Sequence, residues 1–344
     1  MGKQGVLLIN VGTPDDCSVD SVKDYLREFL LDPDVIDIPA PLRHLLVRGI
    51  ILRTRPKKIA PRYSEIWMEE GSPLRVYTQR MADALKENLG DVECQVGMRY
   101  GNPSIRHALE KLKGSGVEDL LIAPLFPQHA QATTGTSMKE SMNQLRLLDW
   151  RPNIFEMEHF EEDPAFINPL AESIMPHISE DSHLLFSYHG LPLSHIRRCD
   201  KTGSHCLKVD SCCSFKVPEN SMCYAHHCNL TTRAVVGYLG LNDSNFSISY
   251  QSRLGPAKWL EPSTVSKVEE LAKDGKKDLV VVSPAFLADG LETLEELELE
   301  VREHFMAHGG ESMVVVKCLN DDPHWIEGLG KIVRKSFEIP VLEN

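Results

Sequence analysis

Three groups of residues in this chain could do chemistry. The segment "CDKTGSHCLKVDSCCSFKVPENSMCYAHHC", Cys199 to Cys228, holds six of the nine cysteines, spaced Cys199-x6-Cys206-x5-Cys212-Cys213-x9-Cys223-x4-Cys228. Thiols at this density suit a disulfide knot, a zinc site or an iron–sulfur cluster. The paired C-x2-C knuckles of zinc ribbons are missing. His189, in "LFSYHGLP", stands at the end of a strand-like run with Gly190 and Pro192 behind it. A histidine there can be a base, a metal ligand or a structural side chain. In "ADGLETLEELELEVREHF", Asp289, Glu292, Glu296 and Glu300 are spaced three, four and four, which places them on one helix face. Like charges at i,i+4 disfavour a helix, and the helix dipole favours acids only in its first turn. A ladder that continues beyond that turn suits the passage of protons or a divalent metal, because hard oxygen ligands hold such ions loosely.

Apolar runs of strand length alternate with longer helical patterns, which predicts an α/β fold with parallel sheets. The pattern also repeats. "GVLLINVGTP" is echoed by "HLLFSYHGLP", "VGMRYGNPS" by "SYQSRLGPAK", and "VEDLLIAPLFPQHA" by "KKDLVVVSPAFLAD". Three echoes in one order predict two similar domains, residues 1–160 and 161–344, joined near 150–165. Ligands of such folds bind beyond the carboxyl ends of the strands, here the loops after Asn10, Gly97, Pro124, Ser187, Tyr250 and Ser283. His189 and the start of the acidic ladder follow two of these. No GxGxxG or P-loop pattern supports a nucleotide cofactor. "ATTGTS" (132–137) is a short turn of a common kind that could cradle an anion.

The chain has 344 residues and a net charge of −13, which argues against general nucleic-acid binding. No apolar run approaches the length of a membrane span. "MGKQGVLLINVGTPD" enters a strand-like run at once and does not read as a signal or transit peptide. The expectation is a protein of the reducing cytoplasm, where disulfides do not persist, so the knot is the weakest of the three cysteine readings. One stretch departs from the acidic balance. Residues 38–64 contain Arg43, Arg48, Arg53, Arg55, Lys57, Lys58 and Arg62 without an acid, interleaved with Leu, Val and Ile. That pattern suits an anionic membrane face or bound carboxylates; the competing reading is a solvated helix face.

"LLINVGTPD", "GSPL", "RYGNPS", "PLFPQHAQATTGTS", "SYHGLP", "TTR", "YQSRLGPAKWLEP" and "PAFLADGLETLEEL" run in collinear order over nearly the whole chain. Together they resemble the ferrochelatases, which insert ferrous iron into a porphyrin. The resemblance implies two Rossmann-like domains with parallel sheets facing across a porphyrin cleft. It implies a lyase making protohaem from protoporphyrin IX and Fe2+, with coproporphyrin III as the alternative substrate. A non-catalytic tetrapyrrole or metal binder on the same fold is the alternative function. His189 matches the family's active-site histidine and Glu292 its partner glutamate. Asp289, Glu296 and Glu300 match the acidic helix behind them, Tyr63 and Arg99 fall where the family lines its pocket, and residues 38–64 fall in its membrane-facing lip. The implied location is cytoplasmic and peripheral to the inner membrane; a homodimer is compatible with the sequence.

The chain also departs from the family. Phe126 and His129 stand where many members carry tyrosines, and Gly290 and Leu291 also differ from several relatives. Animal enzymes ligate a [2Fe-2S] cluster mainly through C-terminal cysteines; no cysteine follows Cys318, and Gln131 stands at their internal ligand. Cys228 precedes "TTR", where cluster-free relatives also carry a cysteine, and is assigned a structural role. A [2Fe-2S] cluster needs four thiolates. The expected ligands are Cys199, Cys206, Cys212 and Cys213, closest together in sequence, with Cys223 in reserve and zinc as the alternative metal. Cys17, Cys94 and Cys318 are isolated and read as ordinary buried thiols.

Overall fold

The computed structural model of the protein describes residues 2–338. Its first parallel sheet contains β1 (Gln4–Thr13), β2 (Glu93–Gly101), β3 (Asp119–Pro124) and β4 (Asn153–Glu156), in the order β2-β1-β3-β4. The second contains β5 (His183–His189), β6 (Phe246–Gln251), β7 (Asp278–Val282) and β8 (Ser312–Val315), in the order β6-β5-β7-β8. The two orders are the same and every pairing is parallel. The inner strands are apolar almost without interruption, as strands covered by helices on both faces must be.

The helix Ile105–Gly114 packs Ile105, Leu109 and Leu112 onto Leu7, Ile9, Leu120 and Ile122 of the first sheet. In the second sheet, Val268 and Leu271 of the helix Thr264–Lys273 share a core with Leu185, Leu279 and Val281. Leu297, Val301 and Phe305 complete that core. They lie four apart on the helical run that carries the acidic ladder, and their burial fixes which face of that run turns inward.

One of the sequence echoes is shifted. Met98 donates its N–H to Pro103 O, and Ser104 caps the next helix through His107 N. In the second sheet the same roles fall to Tyr250, Pro262 and Ser263, the last capping through Ser266 N. The counterpart of "GNPS" is therefore "LEPS" (260–263) rather than "LGPA". Residues 252–259 are an extra loop at the end of β6.

Clustering of the fold gives two compact units. One holds the chain to Phe126, Gln131–Glu158 and the chain from Asn320; the other holds Pro127–Ala130 and His159–Leu319. These units differ from the expected 1–160 and 161–344 at the main boundary, which falls after Glu158, and at two further places. The helix Pro323–Ser336 belongs with the first unit: Trp325 Nε1 approaches Met81 Sδ at 3.4 Å and Arg334 reaches Asn88 O at 2.9 Å. The short loop 127–130 belongs with the second: Gln128 Nε2 donates to Thr231 Oγ1 at 2.9 Å and His129 N to His227 Nδ1 at 3.1 Å. Among the described residues, no helix is long and apolar enough to cross a membrane.

Candidate active site

His189 is the last residue of β5 and pairs in register with Gln251, the last of β6. The chain turns at Gly190, whose N–H donates to Gln251 O at 2.8 Å. A Cβ at position 190 would lie 2.7 Å from that carbonyl, so the turn requires glycine. The carbonyl of Gly190 lies 2.7 Å from His189 Nδ1. A carbonyl only accepts, so Nδ1 carries the proton and Nε2 keeps its lone pair. Burial pulls the pKa of His189 below its ordinary value, against the opposing pull of the Glu292 charge and the Gly190 carbonyl. The imidazole is thus a neutral base at neutral pH.

Glu292 opens a π-helical segment, Glu292–Val301, a form that recurs at functional sites. Its carbonyl accepts from Gln251 Nε2 at 2.8 Å, while Gln251 Oε1 accepts from Ser187 Oγ at 2.6 Å and Ser283 Oγ at 3.3 Å. One buried glutamine thereby ties the ends of β5, β6 and β7 to the start of the acidic helix and sets where Glu292 stands. Ser252 follows at φ 65°, a left-handed conformation uncommon for serine. From it Ser252 donates its N–H to Glu296 Oε1 at 2.8 Å and its hydroxyl to Oε2. Burial nevertheless pushes the Glu296 carboxyl up to about 7, helped by Glu292 and Glu300 and opposed by the two Ser252 bonds. A carboxyl held near neutrality can both take and release a proton.

Asp289 stands apart from this line. It is 2 % exposed, and its Oδ1 accepts from Thr293 Oγ1 at 2.8 Å and Cys318 N at 3.3 Å. It anchors the root of the helix, whereas Glu292, Glu296 and Glu300 form the ladder.

The other predicted pocket residues lie in the first unit. Tyr63 is buried in the helix Leu52–Ile66, edge-on to Trp67. Arg99 is committed within the protein: its guanidinium pairs with Asp32 at 2.5 Å, donates to Thr136 Oγ1 at 2.9 Å and lies 4.4 Å from the Tyr100 ring centroid. "ATTGTS" is a π-helical turn running into the helix Thr136–Leu147 and forms no separate cradle. Residues 40–66 form one helical run. Arg43, counted above as part of a basic surface, is 8 % exposed and donates to Ile36 O and Ile38 O. Arg48, Arg53, Arg55, Lys57, Lys58 and Arg62 remain outside, and Leu42, Leu45 and Ile50 are exposed among them. Lys23, Arg27, Arg48, Arg53 and Lys57 line an open groove of about 460 Å³ with one acid, Asp20.

The cysteine-rich segment folds on two buried polar side chains. Asp200 accepts from the N–H groups of Thr202, Gly203, His205 and Cys206. Asn220 donates to Cys212 O and Phe215 O and accepts from Val217 N. These turns bring the sulfurs of Cys199, Cys206 and Cys223 within 4.8 Å of one another. Cys223 stands at the N-cap position of the helix Tyr224–Leu239. Hydrogen bonds from the Cys199 and Cys213 thiols hold its pKa far below the usual thiol range, against burial, with the His226 N–H and Cys206 assisting. The compact group is thus Cys199, Cys206 and Cys223, and the Cys213 thiol adjoins it through its bond to Cys223. Cys212 stands at the edge, 3.9 Å from Cys213. The convergence differs from the set nearest in sequence because 214–222 doubles back, returning Cys223 to the others. Cys228 is fully buried one helical turn further on, outside this group. Four cysteines with one favoured thiolate are a donor set that fits either a [2Fe-2S] cluster or a zinc ion.

Gln251, Ser252 and the centrality of Cys223 were not singled out by spacing. The first two lie in the loop after Tyr250, which the strand-end rule had marked. Nothing in a linear pattern places Cys223.

A family model described as Ferrochelatase matches residues 3–337. A ferrochelatase of Pseudomonas syringae pv. tomato is 41% identical over 337 residues, covering 98% of this chain and 99% of that one. One of Bdellovibrio bacteriovorus is 41% identical, covering 97% and 99%. Among solved structures, SirB from Bacillus subtilis with Fe3+ aligns at a TM-score of 0.56 and 12% identity, covering 97% of this chain and 95% of that one. The sirohydrochlorin chelatase SirB from Bacillus subtilis subspecies spizizenii, in complex with cobalt, aligns at 0.54 and 9% identity, covering 98% and 96%. The structural likenesses establish the chelatase fold.

Proposed function

The chain belongs to the ferrochelatase family, and from that premise we propose that His189 and Glu292 form the centre at which ferrous iron replaces the two pyrrole protons of protoporphyrin IX. The observation that carries this reading is the His189 imidazole, pinned through Nδ1 to Gly190 with Nε2 unprotonated and subject to the Glu292 charge. Two N–H bonds break, their electron pairs bind Fe2+, and two protons leave; no electron is transferred. A site that buckles the macrocycle turns those lone pairs out of the ring plane, the strain being offset by apolar binding. His189 Nε2 takes the protons. Glu292, Glu296 and Glu300 carry them away and offer oxygen ligands to the metal.

Glu296→Gln tests the ladder. Turnover at limiting iron is expected to fall by about a hundredfold, the low end of what a positioned proton acceptor contributes. Stability should move the other way. The folded pKa of Glu296 is raised, so the folded state favours its protonated form; that stabilisation is present below the unfolded value and is lost as pH rises through about 7. Glu296→Gln should therefore match wild type in thermal denaturation on the acid side and exceed it above pH 7. Wild-type kinetics across iron concentrations in the variant would make the ladder a mere surface.

The four convergent cysteines hold a [2Fe-2S] cluster in this reading, wholly within 199–228 and structural or regulatory rather than catalytic. What supports it is the compact trio Cys199, Cys206 and Cys223, with Cys213 adjoining Cys223 as the fourth donor, gathered by turns that Asp200 and Asn220 organise. A cluster there would tie the end of the helix Leu193–Cys199 and the start of Tyr224–Leu239 to the loop between them.

The helical run 40–66 is the membrane-facing lip, its exposed Leu42, Leu45 and Ile50 resting among headgroups and its cations on anionic phosphate. Charge reversal at Arg48, Arg53 and Lys57 should weaken co-sedimentation with anionic vesicles by about 1 kcal/mol per residue at low salt. Reversal of Arg43, which is buried, should instead destabilise the fold. Co-sedimentation unchanged by the triple reversal would remove the electrostatic part of this contact.

A further inference from the structure

The acidic helix does not end its pattern at Glu300. The same four-residue step continues through His304 to His308, carried by the helix Arg302–Ala307 and the turn after it. The buried stripe shows that the step holds one face through the change from π- to α-helix. Leu297, Val301 and Phe305 all enter one core, so the residues directly before them, Glu296, Glu300 and His304, also share a face. At the far end Glu269 arrives from the neighbouring helix Thr264–Lys273. Its carboxylate lies 2.9 Å from His304 Nδ1 and 3.8 Å from His308 Nε2. The two imidazoles are nearly parallel, 9° apart with centroids separated by 6.5 Å.

We propose that His304, His308 and Glu269 form an outer loading site that captures substrate Fe2+ and delivers it to the Glu300–Glu296–Glu292 ladder. This rests on the reading of the ladder given above. Two imidazoles and one carboxylate with open positions are a donor set suited to Fe(II). The separations of 2.9 and 3.8 Å bracket the spacing of ligand atoms that each sit about 2.1 Å from a shared metal. His308 is already oriented for this: its Nδ1 donates to His304 O at 2.8 Å, leaving the Nε2 lone pair turned to Glu269. Such a bond behind a ligating imidazole fixes its tautomer and raises its basicity. All three side chains are between 27% and 40% exposed, so a hydrated ion can reach them. The Lys273 ammonium is a loosely placed competitor, its Nζ 3.9 Å from Glu269 Oε2. Three protein ligands leave positions for water and, on transfer, for the next carboxylate. On loading, the proton that His304 Nδ1 donates to Glu269 passes through solvent to His304 Nε2, so the ring stays neutral while Nδ1 takes the metal; no electron is transferred, and on delivery water and carboxylate oxygens exchange on the metal.

The test is anaerobic equilibrium dialysis of the as-isolated enzyme against Fe2+ without porphyrin, beside steady-state kinetics. His304→Ala/His308→Ala should lose one equivalent of dialysable Fe2+ and raise KM for iron by at least about tenfold, the scale of weakened metal ligation. KM for porphyrin should hold. Glu269→Gln, on a different helix and of nearly the same shape, should weaken the same equivalent, which guards against a folding defect in the histidine variant. His189→Ala should keep it, so the outer site is tested apart from the reaction centre. An equivalent retained at wild-type affinity in both the double variant and Glu269→Gln would overturn the proposal, leaving the trio as hydrogen bonds between two helices.

Discussion

His189→Ala is expected to lose iron insertion by about two to four orders of magnitude, the usual contribution of a positioned general base. The loss should be specific. The His189 side chain touches the Gly190 carbonyl and lies 6.1 Å, edge-on, from the Phe286 ring. Its removal therefore opens a small gap at the end of β5 without breaking the sheet, whose pairing at this position runs through the backbone. Thermal unfolding and porphyrin binding should remain close to wild type. The anaerobic loss of the free-porphyrin Soret band reads the rate. A variant that inserts iron at near-normal speed would assign the proton to another group.

Cys223→Ser is expected to abolish the proposed cluster outright, because Cys223 groups with Cys199 and Cys206 and is the sulfur that Cys213 adjoins. Wild-type protein prepared without oxygen should be red-brown and contain iron and acid-labile sulfide in equal amounts. Cys206→Ser should bleach it as well. Cys212→Ser should stay coloured, since Cys212 only touches the edge of the group at 3.9 Å from Cys213. This last comparison separates the spatial ligand set from the set nearest in sequence. Colour lost in Cys212→Ser but kept in Cys223→Ser would restore Cys212 as a ligand. One equivalent of zinc in colourless wild-type protein would replace the cluster by a zinc site.

The sequence was most informative where function follows from local geometry. The placement of His189 was legible because a buried strand ends at a glycine turn, and that of the carboxylates because a helix brings every fourth residue to one side. Doubling of the fold was legible in the strands, and the identical strand orders of the two sheets repeat it. What linear reading could not supply depends on long-range contact. Gln251 matters because β5, β6 and β7 end together around it, which no spacing encodes. Cys223 joins Cys199 through a loop folded by Asn220, whose own role is invisible in composition. Arg43 counts as a surface cation until the helix turns it inward onto two carbonyls. The extra loop 252–259 shifted one echo, and in doing so hid Ser252, the residue that holds Glu296.

The most direct test of the central claim follows the same Soret change to completion, with wild-type enzyme, Fe2+ and an excess of protoporphyrin IX under strict exclusion of oxygen. Many protohaems per chain are predicted, with His189→Ala binding the porphyrin but leaving it metal-free over the same interval. Porphyrin bound stoichiometrically by wild type with no metallation beyond one equivalent would contradict the account and make the chain a tetrapyrrole carrier.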